Sequence, residues 1–97
     1  MKIQLQKFGS LLTSRDTGKE AFGAFRPSLN HLAPDEKIEI DFTDIGTISP
    51  SWADEFISKI ADEFGDRMVL LPTANMSANS SIELIESIRG KVFNKVS

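Results

Sequence analysis

A strand that runs through a short polar loop into a helix, between residues 38 and 56, limits the fold more than any other segment of this chain. Residues 38–42 read Ile-Glu-Ile-Asp-Phe, the pattern of a short strand. Pro50 suits the first position of a helix because its φ is fixed and it lacks an N–H. The residue before a proline is held extended, as a helix cap must be. The segment therefore predicts a strand followed by a helix that Ser49 caps.

Strands and helices alternate along the rest of the chain. Besides strand 38–42, we predict strands at residues 2–8 and 67–72, a short strand at 11–12, and helices at 16–32, from Ser49 to Gly65 and from about 79 onward. This order predicts an α/β fold in which a parallel crossover connects strand 38–42 to strand 67–72. A length of 97 residues is typical of one domain, so we expect a single domain over residues 1–97.

Two of these helices carry signals near their ends. Pro27 removes a backbone donor within helix 16–32 and disfavours α geometry at Arg26, so the sequence predicts a kink or a break there. The last helix is expected to be capped by Asn79 or Ser80. Its expected buried face consists of apolar residues at three- and four-residue steps, namely Ile82, Ile85, Ile88 and Val92.

The helix that begins after Ser49 has two distinct faces when its residues are placed at about 100° intervals. The predicted buried face is apolar and consists of Ala53, Phe56, Ile57, Ile60 and Phe64. The predicted exposed face is polar and mainly acidic, and it consists of Ser51, Asp54, Glu55, Ser58 and Asp62. Trp52 falls at the boundary between them. We therefore expect a protein partner to reach Ser51 and the acidic residues beside it.

Several short motifs accompany the junction. The helix start reads Ile-Ser-x-Ser-aromatic-Ala-Asp-Glu over residues 48–55. Further matches are Phe8-Gly9, Ser14-Arg15 followed by Gly18, and Asn75. In these motifs the chain resembles the STAS-like domains, bacterial relatives of the anti-sigma-factor antagonists and of sulfate-transporter tails. The resemblance implies a mixed β-sheet with helices packed mainly on one face.

The resemblance also implies a non-catalytic regulatory role. By resemblance to the STAS-like domains, Asp41 matches their acidic residue at the end of a strand, and Ser51 matches the serine that a partner kinase phosphorylates in them. The implied partner is a histidine-kinase-like ATPase or a regulator that this domain controls. The alternative for these serines is structural: Ser49 only caps the helix, and Ser51 only satisfies an N–H of the first turn.

A second function class follows from the helix start itself. The first turn of a helix presents free N–H groups and the positive end of the helix dipole, which suit an anion or a phosphate group. A small-molecule or anion-binding domain is therefore the alternative to a regulatory module. The residues expected to contact a partner or an anion surround this turn and the preceding loop: Asp41, Asp44, Ser49, Trp52, Asp54 and Glu55.

Composition excludes several other classes. A net charge of −3 argues against a nucleic-acid surface, and no run of residues is apolar and long enough to enter a membrane. The absence of cysteine fits a reducing compartment, so we expect a cytoplasmic protein. Scattered glycines, a single histidine and carboxylates without evident convergence predict no catalytic residue, no cofactor and no metal. Self-association is left open by the sequence.

Overall fold

The computed structural model describes residues 1–96 and confirms an alternation of strands and helices. The strands are β1 (Lys2–Gln4), β2 (Leu11–Leu12), β3 (Ile38–Asp41), β4 (Thr47–Ile48) and β5 (Met68–Leu70). The α-helices are α1 (Arg15–Phe25), α2 (Pro50–Ala53), α3 (Lys59–Phe64) and α4 (Met76–Arg89). A π-helical turn, Asp54–Ser58, joins α2 to α3. Residues 50–64 therefore form one continuous helix, the central helix.

The strands pair in parallel. In the main sheet the order is β1-β3-β5, with Ile3 opposite Ile40 and Ile40 opposite Leu70. A second, two-stranded sheet pairs β2 with β4. The α/β class and the parallel crossover are confirmed, but the pairings between named strands are all parallel, whereas a mixed sheet was expected. A helix lies between successive strands of the main sheet and returns the chain to the same end each time.

The chain after α4 comes back to the main sheet. Leu70 N–H donates to Asn94 O at 2.9 Å, and Val96 N–H donates to Leu70 O at 3.1 Å. These bonds place Lys95 beside Leu70 in a parallel bridge. The outer edge of β5 is therefore covered by backbone from the C-terminal segment.

The core lies between the main sheet and the central helix. Ile38 and Ile40 of β3 are fully buried, as expected for a middle strand. Of the predicted apolar face of the central helix, Phe64 is half-buried and the other four residues are buried. An aromatic cluster of Phe8, Phe22, Phe25, Trp52 and Phe56 connects this face to α1, with ring centroids 5.1 to 6.2 Å apart.

The break predicted at Pro27 is confirmed. The α-helix ends at Phe25, and Arg26–His31 continue as a 3₁₀-helix with Pro27 at its start. Proline fits this position because the first residues of a new helical segment need no backbone donor. The first strand is shorter than predicted, because the chain turns into a 3₁₀-helix at Leu5–Phe8.

The last helix departs from the prediction at both ends. It begins at Met76, capped by Asn75, whose Oδ1 accepts from Ala78 N–H at 3.0 Å, so the predicted caps at Asn79 and Ser80 are wrong. Ile82 and Ile85 are buried as expected, but Ile88 and Val92 are each 76% exposed. The buried stripe runs instead through Ala78 and Ser81, and Val92 lies beyond the helix, which ends before Gly90. Within residues 1–96, no helix is both long and apolar enough to cross a membrane.

Candidate functional site

Ser49 caps the central helix, as predicted. Its Oγ accepts from Trp52 N–H at 3.2 Å and donates to Thr13 O at 2.8 Å, and its own N–H donates to Leu12 O at 2.9 Å. The residue is extended, with φ −91° and ψ 159°. Since the hydroxyl is already used by the backbone, Ser49 serves the helix start and is not available to a ligand.

Ser51 occupies the first turn in a different way. Its side chain is half-buried, and its hydroxyl makes no hydrogen bond within residues 1–96. It lines a groove between the central helix and α4, together with Pro50 and Asp54 on its own side. Ser51 thus presents a free hydroxyl beside a groove, and its side chain is less exposed than the sequence predicted.

The first turn offers few donors to an anion. Pro50 has no N–H, Trp52 N–H is bound by Ser49 Oγ, and Ala53 N–H donates to Ser49 O at 3.1 Å. Among the described residues, this leaves Ser51 N–H as the unused donor of the turn. Anion sites at helix starts depend on several convergent N–H groups. The geometry therefore gives the anion-binding alternative little support.

Trp52 does not lie at the boundary of the helix and cannot contact a partner in this conformation. It is 1% exposed, and its ring stacks on Phe56 with centroids 5.1 Å apart. The boundary position predicted from 100° spacing was wrong because α1 packs over this side of the helix. A Cβ added to Gly18 would lie 2.9 Å from Trp52 O, so only glycine lets α1 approach this closely.

Ser58 also lies on a different side from the one predicted. It is 3% exposed, and its Oγ has no hydrogen-bond partner within the described chain. The prediction of an exposed Ser58 assumed regular α-helical spacing. Ser58 instead ends the π-helical turn, in which hydrogen bonds span one residue more than in an α-helix. Ideal α-helical spacing therefore does not predict the burial of Ser58.

The acidic stripe predicted on the central helix is partly neutralised by Arg15 of α1. Arg15 Nη1 donates to Asp54 Oδ2 at 3.1 Å and to Glu55 Oε1 at 2.9 Å. These two bonds, first to Glu55 and then to Asp54, raise the pKa of Arg15 above its usual value. Arg15 was not among the predicted site residues. Its place in the Ser14-Arg15…Gly18 motif was the available signal.

Asp41 is the last residue of β3, Asp44 lies in the turn after it, and neither lines the groove. Asp41 is buried, and its Oδ1 accepts from Thr43 Oγ1 at 2.6 Å and from Thr43 N–H at 2.9 Å. These bonds hold the pKa of Asp41 below its usual value. Asp44 is exposed with a φ of 63°, which a tight turn requires. Both aspartates therefore shape the loop that leads to the helix.

Polar side chains of α4 and of its cap, Asn75, hold that loop in place. Asn75 Nδ2 donates to Ile45 O at 2.7 Å, Ser77 Oγ accepts from Ile48 N–H at 3.1 Å, and Ser81 Oγ donates to Ile48 O at 2.8 Å. Asn75 was noted as a motif residue, whereas the serines were missed. The sequence does not indicate that Ser77 and Ser81 bind this loop, because a serine in a helix is usually exposed.

The far wall of the groove is apolar. Leu84 and Ile88 of α4 line it and are 49% and 76% exposed, and Ile85 lies buried between them. Arg15 and Arg89 also line the groove, which has a volume of about 330 Å³. Within residues 1–96, no group of three or more acidic, histidine or cysteine side chains is placed to hold a metal ion.

Comparison with known proteins gives one match. A family model described as "STAS-like domain of unknown function (DUF4325)" matches residues 25–78, more than half of the chain. The matched region contains Asp41, the central helix with Ser51, and Asn75, whereas Arg15 and Gly18 precede it. No curated protein and no solved structure matches.

Proposed function

Because the chain belongs to the family of STAS-like domains, we propose that it is a non-catalytic regulatory module whose binding to a protein partner is changed by phosphorylation of Ser51. The partner is a histidine-kinase-like ATPase or a regulator controlled by this domain. The observation that carries the proposal is the position of Ser51, whose free hydroxyl lies beside a groove with an apolar wall.

The groove supplies a surface for a partner. Leu84 and Ile88 present apolar area that no other part of the described chain covers. Arg15, Asp54 and Arg89 line the same groove and supply charged groups around that area. Interfaces combine an apolar centre with a polar rim in this way. The partner surface therefore includes α4, which the sequence alone did not indicate.

A phosphate on Ser51 would change this surface directly. It adds nearly two negative charges at the groove, next to a wall that is apolar. A partner that packs on Leu84 and Ile88 would then have to bury or displace a hydrated dianion, which is costly. The cap of the helix would remain, because Ser49 and not Ser51 makes the capping bonds. Binding changes while the fold is kept.

The test begins with a partner that co-purifies with the tagged full chain. Its affinity is then measured for wild type, Ser51→Ala, Ser51→Asp and Leu84→Asp. We expect Ser51→Asp and Leu84→Asp each to weaken binding by about tenfold or more. Ser28→Asp is the matched control, because Ser28 is an exposed serine that does not line the groove.

Circular dichroism of each variant checks that the fold is intact. Equal affinities for wild type, Ser51→Ala and Ser51→Asp would remove Ser51 as a switch. Weakening by Ser28→Asp as strong as that by Ser51→Asp would show a general effect of charge. Specific binding of inorganic phosphate to the unmodified chain, lost in a Ser51 variant, would favour the anion-binding alternative.

A further inference from the structure

Arg15 has hydrogen-bonding capacity that its present contacts do not use. A guanidinium carries five N–H donors, and in Arg15 only Nη1 is engaged, by Asp54 and Glu55. Within residues 1–96, Nε and Nη2 of Arg15 make no hydrogen bond. The side chain is 52% exposed, so these donors are accessible from solvent. Arg15 can therefore bind a further anionic group.

That free capacity lies at the groove that Ser51 lines. Arg15 and Ser51 both line it, although 36 positions separate them in sequence. Gly18 lets α1 approach Trp52 of the central helix closely, and the Ser14 side chain fixes the start of α1 next to Arg15 by accepting from Thr17 N–H at 3.0 Å. Arg15 is therefore held beside the central helix before any phosphate arrives.

The charges at this place are not balanced. One guanidinium serves two carboxylates, Asp54 and Glu55, so the cluster carries one net negative charge. The second arginine of the groove, Arg89, is already bound to Asp62, with 2.8 Å between Nη2 and Oδ1. A phosphate on Ser51 would be repelled by the carboxylates unless a cation turned to it. Arg15 is the groove cation with free, exposed donors.

We propose that Arg15 is an intramolecular receptor for a phosphate on Ser51. This inference rests on the proposed function, because it requires Ser51 to be the phosphorylated residue. The phosphate oxygens accept from Nε and Nη2 of Arg15, a planar pair of donors that matches phosphate geometry. In competition with this dianion, the bonds from Arg15 to Asp54 and Glu55 weaken. Phosphorylation thus alters the contact between α1 and the central helix as well as the groove surface.

The experiment installs phosphoserine at position 51 of the full chain by genetic-code expansion, so that no kinase is needed. Titration of the phosphate by ³¹P NMR then gives its second pKa, which is about 6 for a free phosphoserine. We expect Arg15→Gln to raise this pKa by about one pH unit, since a nearby cation favours the dianion. Asp54→Asn should lower it, because a like charge is removed.

Lys19→Gln is the matched control. Lys19 lies in the same helix, is exposed and does not line the groove, so its removal should shift the phosphate pKa by less than about 0.3 of a pH unit. An Arg15→Gln shift no larger than that of Lys19→Gln would overturn the inference. Arg15→Lys, which keeps the charge but loses the planar pair of donors, should give a value between wild type and Arg15→Gln.

Partner affinity of the same phosphorylated proteins separates this inference from the proposed function. A phosphate pKa that depends on Arg15, with partner affinity unaffected by phosphorylation, supports the receptor and refutes the switch. A phosphate pKa that ignores Arg15, with partner affinity changed by phosphorylation, refutes the receptor and supports the switch.

Discussion

Gly18→Ala should destabilise the domain although it places a better helix former in α1. Alanine is favoured over glycine within a helix by about 1 kcal/mol. The new methyl group, however, would lie 2.9 Å from Trp52 O, 3.0 Å from Trp52 Cα and 3.2 Å from Glu55 Cβ. Two of these three atoms belong to the backbone of the central helix, so relief requires one helix to move. Overpacking of this kind costs about 1–3 kcal/mol.

Gly23→Ala in the same helix is the matched control. Gly23 is exposed, and an added Cβ would meet nothing within 4 Å. It should therefore stabilise the domain by about 0.5–1 kcal/mol. The helix-propensity gain is common to both variants, so the difference between them isolates the cost of the contact with Trp52. We expect that difference to be about 2 kcal/mol, within the range for overpacking.

Urea unfolding followed by circular dichroism and by fluorescence measures this difference, because Trp52 is the chain's single tryptophan and is buried beside Gly18. In thermal unfolding, a difference of about 2 kcal/mol would separate the melting temperatures of the two variants by about 8–16 °C in a domain of this size. If Gly18→Ala were as stable as Gly23→Ala, the close approach of α1 to the central helix would be wrong. The position of Arg15 beside Asp54 and Glu55 would then lose its support.

Three further predictions concern the helix start, the core and the loop. Ser49→Ala should lower the free energy of unfolding by about 0.5–2 kcal/mol, and Ser51→Ala should change it by less than about 0.5 kcal/mol; urea unfolding that gave the reverse ranking would move the cap. Trp52→Ala should cost about 3–5 kcal/mol because the ring is buried, and a loss below about 1 kcal/mol in the same assay would contradict that burial. The folded-state pKa of Asp41 is lowered by Thr43, so its stabilising contribution is complete above the unfolded pKa near 4 and is lost as pH falls through the lower folded value. Thr43→Val should therefore destabilise the domain at pH 7, with a deficit that shrinks as the pH falls below the unfolded pKa. Unfolding measured at several pH values checks this, and a deficit that does not change with pH would exclude a role for Asp41.

Features fixed by local chemistry could be predicted from the sequence. The cap at Ser49 and the break at Pro27 follow from the covalent properties of proline and from hydroxyl capping, which act over a few residues. The parallel crossover follows from the order of elements. Because Pro50 and Ser49 fix the start of the helix, the prediction of Ser51 in its first turn was correct.

Features that depend on distant packing could not be predicted. Several Asn and Ser residues between positions 75 and 81 are suited to cap the last helix. Asn75 is the cap because its side chain also binds the carbonyls of Ile45 and Gly46. The burial of Trp52 depends on the packing of α1 against the central helix. Ser58 ends a π-helical turn, which the spacing of the apolar residues did not predict. The exposed residues Ile88 and Val92 were predicted to be core because their spacing fits a buried helix face.

The bonds that hold the loop before Ser51 have a consequence for the order of events during synthesis. Ile48 is bound by Ser77 and Ser81, which follow it by 29 and 33 residues, and Ser49 is bound to Thr13, 36 residues earlier. Contacts between such distant residues form only after the intervening chain has closed into a loop. A nascent chain that has not yet released α4 from the ribosome lacks the bonds from Ser77 and Ser81 to Ile48. The loop before Ser51 is thus fixed late in synthesis, and a chain without α4 lacks the finished surface around Ser51.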